Sequence, residues 1–289
     1  MSFRTVVISN RCKLDLRMNY MVVRGDEPIK VLLDEIDILI VENPAVSFTG
    51  CLLEALIAKK VKVIFCDSQH NPQSELVPYH GSHDCSRKIR NQIKWSPQLQ
   101  GELWTMIVKE KIRMQAKLLE ELGHDAEAGM LYSYIAELSY RDETNREGHA
   151  AKVYFNKLFG MNFSRDRDTA VNAALDYGYS VILSVFNREV AGNGYITQLG
   201  FFHDNIYNPF NLSSDLMEPY RVLVDRIVYQ SEFTKFEAEE KHMVLGVLKS
   251  EVTINHSRQA LPNAIKIYVK SVFDALLYED VTQVAFYER

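Results

Sequence analysis

The hydrophobic period of this chain changes once, near residue 85, and that single change limits it to two differently built parts. Before it, apolar residues recur in short β-rich runs at 4–9, 13–17, 20–24, 29–33, 38–42, 62–66 and 75–79, each bounded by turn residues. One helix interrupts them at 49–60, where Leu52, Leu53, Leu56 and Ile57 form an apolar stripe. Seven short strands need a second layer to bury their faces, which predicts a small twisted sandwich or a dimerising sheet. After a polar connector at 80–86 the pattern turns helical, with segments at 97–122, 125–139, 146–159, 168–192, 194–202, 214–229, 233–250 and 259–278. Ser96-Pro97 places a proline in a first helical turn, and Gly123 and Gly160 can end their helices. The chain therefore reads as an α+β two-domain protein: an N-terminal small β-sandwich over 1–85 and a C-terminal all-α helical domain over 86–289.

Size agrees, because single cores tend to stop growing near the 289 residues present here. The longest apolar runs, 36–41 and 61–66, are too short to cross a bilayer, so a cytoplasmic location without a membrane is expected. Cys12, Cys51, Cys66 and Cys85 include no CxxC pair, which reads as reduced thiols. His80, His83 and Cys85 lack a second ligand pair at zinc-finger spacing, and a polar loop explains them better. The net charge of -5 argues against a protein coated in nucleic acid, yet residues 87–117 hold eight basic side chains against two acidic ones. Lys88, Arg90 and Lys94 open that stretch, whose plainer reading is a solvated helix face.

Three potential metal ligands stand far apart: Glu147 in Asn145-Arg146-Glu147-Gly148-His149, His203 in Phe201-Phe202-His203-Asp204, and Glu218 in Asp215-Leu216-Met217-Glu218-Pro219. Two carboxylates and an imidazole suit a divalent ion that works on phosphates. Each also has a structural explanation. Glu147 follows Asn145, a plausible N-cap, and the helix dipole favours a first-turn glutamate. His203 lies among aromatics, where histidine often only packs. Asp215 and Glu218 are three apart, which brings two carboxylates to one helical face, but both also suit a first turn after Ser213 and Ser214. Gly192-Asn193-Gly194 reads as a helix-ending turn, and no phosphate-loop, GxSxG or Cys/His nucleophile pattern is present.

Together, Asn145-Arg146-Glu147-Gly148-His149-Ala150-Ala151, Phe163-Ser164-Arg165-Asp166, Asn172-Ala173-Ala174-Leu175-Asp176-Tyr177-Gly178-Tyr179 and Asp215-Leu216-Met217-Glu218-Pro219-Tyr220-Arg221 resemble the CRISPR-associated integrase family, the first numbered Cas protein. The resemblance is greatest to the type II-A branch. It implies a dimerising N-terminal β-sandwich and a helical domain that binds Mg²⁺ or Mn²⁺ through Glu147, His203 and Glu218, with Asp215 as a further acidic residue of the catalytic site. Relatives often carry aspartate where Glu218 stands, one methylene shorter.

The resemblance further implies a reaction in which the 3′-hydroxyl ends of short duplex DNA attack a leader-repeat junction by transesterification. Arg146, His149 and Arg221 are then expected at the scissile phosphate, and Lys88, Arg90 and Lys94 along the DNA backbone. Implied partners are double-stranded DNA and a second copy of the chain, two such dimers being bridged by a dimer of the second numbered Cas protein. In type II-A systems the effector nuclease and a ring-shaped accessory protein join them. Two rivals are a metal-dependent nuclease that uses water, and a non-catalytic DNA-bridging subunit whose acidic residues only cap helices.

Overall fold

A computed structural model describes residues 4–25, 27–79 and 81–288. The chain divides into two compact units, Met1–Tyr79 and His80–Arg289.

The first unit holds two four-stranded sheets and one helix. β1 (Arg4–Ile8), β2 (Lys13–Arg17), β3 (Tyr20–Arg24), β4 (Ile29–Leu32), β5 (Ile36–Val41) and β6 (Ser47–Phe48) precede α1 (Gly50–Ala58), then β7 (Lys62–Cys66) and β8 (Pro72–Glu75). One sheet runs β1-β5-β7-β8, parallel except at its β8 edge; the other runs β4-β3-β2-β6. Its hairpin turns at Met18-Asn19, both at positive φ, as a two-residue turn between right-twisted strands demands. Leu14 and Met21 from one sheet, Leu39 and Val63 from the other, and Leu52 and Leu56 from α1 share one core. Only Leu52 and Leu56 of the expected stripe are fully buried, one turn apart on one face. The final edge strand lies at Pro72–Glu75, earlier than the expected 75–79.

The second unit includes α2 (Cys85–Gln92), which starts within the connector read at 80–86 and was not expected, and α3 (Pro97–Glu121), α4 (Asp125–Ala136) and α5 (Arg146–Phe159) follow. Then come α6 (Ala170–Gly192), α7 (Asn211–Met217), α8 (Arg221–Ser231), α9 (Ala238–Leu245), the hairpin β9 (Glu251–Ile254) and β10 (Ser257–Ala260), and α10 (Leu261–Tyr278). α6 is buried nearly all round, from Ala174 to Val190, because α7, α8, α9 and α10 pack about it.

Four sequence expectations need correction here. The C-terminal part is not all-α: Asn255 and His256 both take positive φ and close a two-residue hairpin whose Val252 and Ile254 are buried. No helix forms at 194–202, because the N–H groups of Phe201, Phe202 and His203 bond the Asp215 carboxylate instead of a preceding turn. The expected helix at 214–229 is two helices joined by a 3₁₀ turn at Glu218–Tyr220, where Pro219 cannot donate to the ladder. The expected helix at 233–250 starts only at Ala238, where Glu237 and Glu240 make a reciprocal capping box.

Candidate metal and DNA site

Glu147 is positioned by an unusual entry into α5. Asn145 is left-handed and its side chain makes no cap; Asp142 takes that role, accepting from the N–H of Arg146 at 2.7 Å and of Glu147 at 2.9 Å. Arg141, Asp142 and Asn145 all have φ between 53° and 56°. Left-handed backbone outside glycine persists only where neighbours hold it. Here Thr105 Oγ1 of α3 accepts from the Arg141 N–H at 2.8 Å, and the Phe201 carbonyl accepts from its guanidinium at 3.5 Å.

His203 rides a loop fastened to α7. The wholly buried Asp215 carboxylate accepts four donors, the N–H groups of Phe201 (2.5 Å), Phe202 (3.0 Å) and His203 (3.2 Å) and the His203 Nδ1–H. That hydrogen bond raises the imidazole's basicity against the opposing effect of burial, and it leaves Nε2 as the nitrogen free to bind a partner. Gly200 makes the approach feasible: a Cβ there would stand 2.5 Å from the His203 carbonyl and 2.7 Å from Asp215 Oδ2. The buried Trp104 of α3 lies flat on Phe202, centroids 4.4 Å apart, and meets the His203 ring edge-on at 5.7 Å. His203 thus packs among aromatics and is also oriented, with 38% of its side chain exposed.

Glu218, at the α7–α8 junction, is buried between two cations. Arg221 Nε donates to Oε1 at 2.9 Å, and Lys111 Nζ stands 2.6 Å from Oε2. Burial alone would raise this carboxyl, but Arg221 and Lys111 outweigh it and hold it down at about 2. The same Lys111 ammonium donates to Glu147 Oε1 at 2.5 Å. Touching one nitrogen, the two carboxylate oxygens lie within about 5 Å of each other. Glu147 and Glu218, 71 positions apart in sequence, thereby converge on one cation, with the His203 ring electrostatically coupled to both.

Among the described residues no three His, Cys, Asp or Glu side chains already encircle one point. Lys111 occupies the space between the carboxylates. Glu218 Oε2 is buried and has only that ammonium beside it, without an aligned hydrogen-bond donor. Two hard oxygens held against a positive charge, with an oriented imidazole beside them, fit Mg²⁺ or Mn²⁺, the latter accepting nitrogen more readily.

The expected phosphate contacts divide. Arg221 is committed to Glu218 and stacks over Tyr179 at 4.6 Å, so it supports the acid rather than reaching outward. Arg146 pairs with Glu137 at 2.8 Å and lies over Tyr134, and His149 is exposed one turn along α5. Arg90 and Lys94 are exposed; Lys88 is held by Asp84 at 3.1 Å. This basic segment is fastened to the loop that carries His203. Gln92 donates to the Ile196 carbonyl and accepts from its N–H, and Trp95 packs on Tyr195 and Phe201. His80 lies outside the described residues.

Sequence reasoning missed Lys111, Trp104 and Asp142 as parts of the site. A signal for Lys111 existed: it continues the stripe of Trp104, Val108, Gln115 and Leu118, all buried on α3, where a lysine needs a buried partner. Counting it among the charges of a basic stretch hid that spacing.

The family profile described as CRISPR associated protein Cas1 matches residues 5–246, a span that includes every one of these site residues. The chain belongs to the Cas1 family. A CRISPR-associated endonuclease Cas1 of Neisseria meningitidis serogroup C (strain 8013) is 36% identical over 277 residues, covering 94% of this chain and 91% of the relative. Among solved Cas1-like folds, a casposase bound to integration product superposes with TM-score 0.76 at 15% identity, over 97% of this chain and 92% of that one. A chain of a Cas6-RT-Cas1–Cas2 complex gives TM-score 0.72 at 16% identity; the match spans 98% of this chain but only 36% of that longer one. The Cas1 fold here is thus a mixed α+β arrangement with sheets towards the N-terminus and helices after them. Among the described residues, no helix is long and apolar enough to cross a membrane.

Proposed function

We propose that this Cas1-family chain is a metal-dependent integrase of CRISPR adaptation that joins the 3′-hydroxyl ends of short duplex DNA to a leader-repeat junction. The observation that carries the reading is the convergence of Glu147 and Glu218 on one positive charge beside the oriented His203. In the proposed step the 3′-hydroxyl oxygen forms a bond to phosphorus while the bond from that phosphorus to the departing 3′-oxygen breaks. The attacking hydroxyl gives up a proton and the leaving oxygen gains one. One phosphodiester replaces another, so no nucleotide energy source is required, in keeping with the missing phosphate loop.

Glu147, Glu218 and His203 Nε2 are the proposed ligands of Mg²⁺ or Mn²⁺. When bound, the ion polarises the phosphodiester and stabilises charge on the leaving oxygen. Asp215, its acceptor capacity filled, is a positioning residue that fixes the tautomer of His203. Arg221 holds Glu218 in place and ionised. Arg146 and His149 face the scissile phosphate, and Lys88, Arg90 and Lys94 follow the DNA backbone. The N-terminal unit is proposed to dimerise, and the helical unit to carry the chemistry. Two dimers bridged by Cas2 are the proposed assembly, a partnership consistent with the complex named above. The type II-A branch, with its effector nuclease and ring-shaped partner, rests on the sequence motifs.

A second reading, hydrolysis with water in place of the 3′-hydroxyl, is favoured by the name endonuclease given to the Neisseria relative. Both are tested with a labelled short duplex, leader-repeat DNA, Cas2 and Mn²⁺, comparing wild type with Glu147→Gln. Joined product lost in the variant supports integration, and shortened DNA without joining supports the nuclease. Equal joining by both proteins would remove Glu147 from the chemistry.

A further inference from the structure

Lys111 is the one member of the cluster that the proposed chemistry does not use. It projects from the middle of a 25-residue helix whose neighbouring turns are locked by Trp104, Val108, Ile112 and Gln115, all buried. Its ammonium, only 13% exposed as a side chain, makes its two close contacts with the acids that would hold a metal, at 2.5 Å and 2.6 Å. Arg221 supplies the other positive charge, but its fork is fixed on Glu218 and on the face of Tyr179. Two carboxylates, one ammonium and one guanidinium sum to a neutral cluster.

We infer that Lys111 is an exchangeable internal counter-ion: it bridges Glu147 and Glu218 until a divalent cation takes that place, and it then turns to an anionic oxygen of bound DNA. This rests on the metal-dependent reading above and adds a residue that sets metal affinity. A cation entering between the carboxylates cannot share the space with an ammonium already in contact with both. The lysine has a long stem with rotatable bonds and, unlike Arg221 with its guanidinium fixed on Glu218 and over Tyr179, can leave without moving α3. With a divalent ion added and Lys111 still beside it, the cluster carries a net charge of +2 in place of zero. Metal entry then creates the attraction for phosphate, so DNA should bind the site tightly only after the ion. A static structural salt bridge would instead keep its contacts in both states and leave metal affinity indifferent to the lysine.

The test measures Mn²⁺ binding by the electron paramagnetic resonance of free ion, together with thermal unfolding in EDTA and in Mn²⁺. It compares wild type, Lys111→Met, Lys111→Arg and Glu147→Gln. Lys111→Met keeps the stem and removes the competitor; it should bind Mn²⁺ at least tenfold more tightly and regain in Mn²⁺ most of the midpoint temperature it loses in EDTA. Lys111→Arg, with a bidentate grip on the acids, should bind Mn²⁺ more weakly than wild type. Unchanged or weaker Mn²⁺ binding by Lys111→Met overturns the inference, as does a loss of stability that Mn²⁺ does not relieve. Should Lys111→Met fail to fold in either condition, unchanged Mn²⁺ binding by Lys111→Arg overturns it equally. Wild-type binding that survives in Glu147→Gln is a different failure: it removes the ion from these acids and with it the proposed function.

Discussion

Replacing Asp215 by asparagine separates two roles that sequence alone cannot distinguish. If Asp215 were an acid exposed to the reacting groups, removing its charge would leave folding untouched or improve it, since a buried anion is costly. The geometry predicts the opposite. Each carboxylate oxygen accepts two donors: Oδ2 from Phe201 and Phe202, Oδ1 from the His203 backbone and ring. Asparagine keeps one acceptor oxygen and turns an NH₂ group towards the other pair. Two donors, at most one of them fully buried, are left unmatched at about 1–3 kcal/mol each, and the charge assistance to the remaining two is lost. A total of about 4 kcal/mol lowers the midpoint of a unit this size by roughly 8–16 °C. His203→Ala removes a single donor and leaves three N–H bonds in place, so it should cost about 1.5–3 kcal/mol, less than the asparagine. Both variants should lose strand joining, since Asp215 acts through His203. Calorimetry of Asp215→Asn and His203→Ala, each with Mn²⁺ withheld, decides. The reasoning is refuted if Asp215→Asn unfolds within about 2 °C of wild type, or if His203→Ala proves the less stable of the two.

Gly200→Ala should abolish joining and lower the unfolding midpoint, because its Cβ meets the His203 carbonyl and Asp215 together; normal activity in a folded variant would remove the close approach from the argument. Asp225 is buried with the hydroxyls of Tyr154 and Tyr179, and burial raises its carboxyl to about 6, above the unfolded 3.8. The folded state then binds the extra proton, so stability falls as pH rises from about 4 to about 6, by on the order of 3 kcal/mol. The difference in denaturant stability between wild type and Asp225→Asn should show that slope. Replacing Lys88, Arg90 and Lys94 together by alanine should flatten the salt dependence of DNA affinity by about two charges, Lys88 being already paired with Asp84. An unchanged slope would place the DNA elsewhere.

The sequence pattern located most elements where a periodic apolar face exists. The helix at 146–159 was legible because its buried residues, Ala150, Tyr154 and Leu158, recur every four positions; the helix at 97–121 and the strands at 13–17 and 20–24 matched although their burial is not confined to one period. It failed where a side chain, not the backbone ladder, satisfies the main chain. The stretch 194–202 carries helix-compatible residues, yet its N–H groups are claimed by an aspartate more than ten positions later. The hairpin at 251–260 depends on positive φ at Asn255 and His256, a backbone feature that no apolar period signals. Within the site, Glu147, His203 and Glu218 were legible as chemistry, but Lys111 was not, because charge counting treats a lysine as solvent-facing unless its helical phase is examined.

The placement of the ligands also constrains how the site can move. His203 has no helix of its own; its ring and backbone are fastened to Asp215 on α7, three residues before Glu218 in the turn that follows. Two of the three proposed ligands therefore move with the α7–α8 junction. Glu147 moves with α5, whose start is tied through Arg141 to Thr105 on α3 and to the Phe201 carbonyl. Lys111 stands between them on α3. Any separation of α5 from the α7–α8 junction would then have to break the Arg141–Phe201 contact and one of the two ion pairs of the Lys111 ammonium.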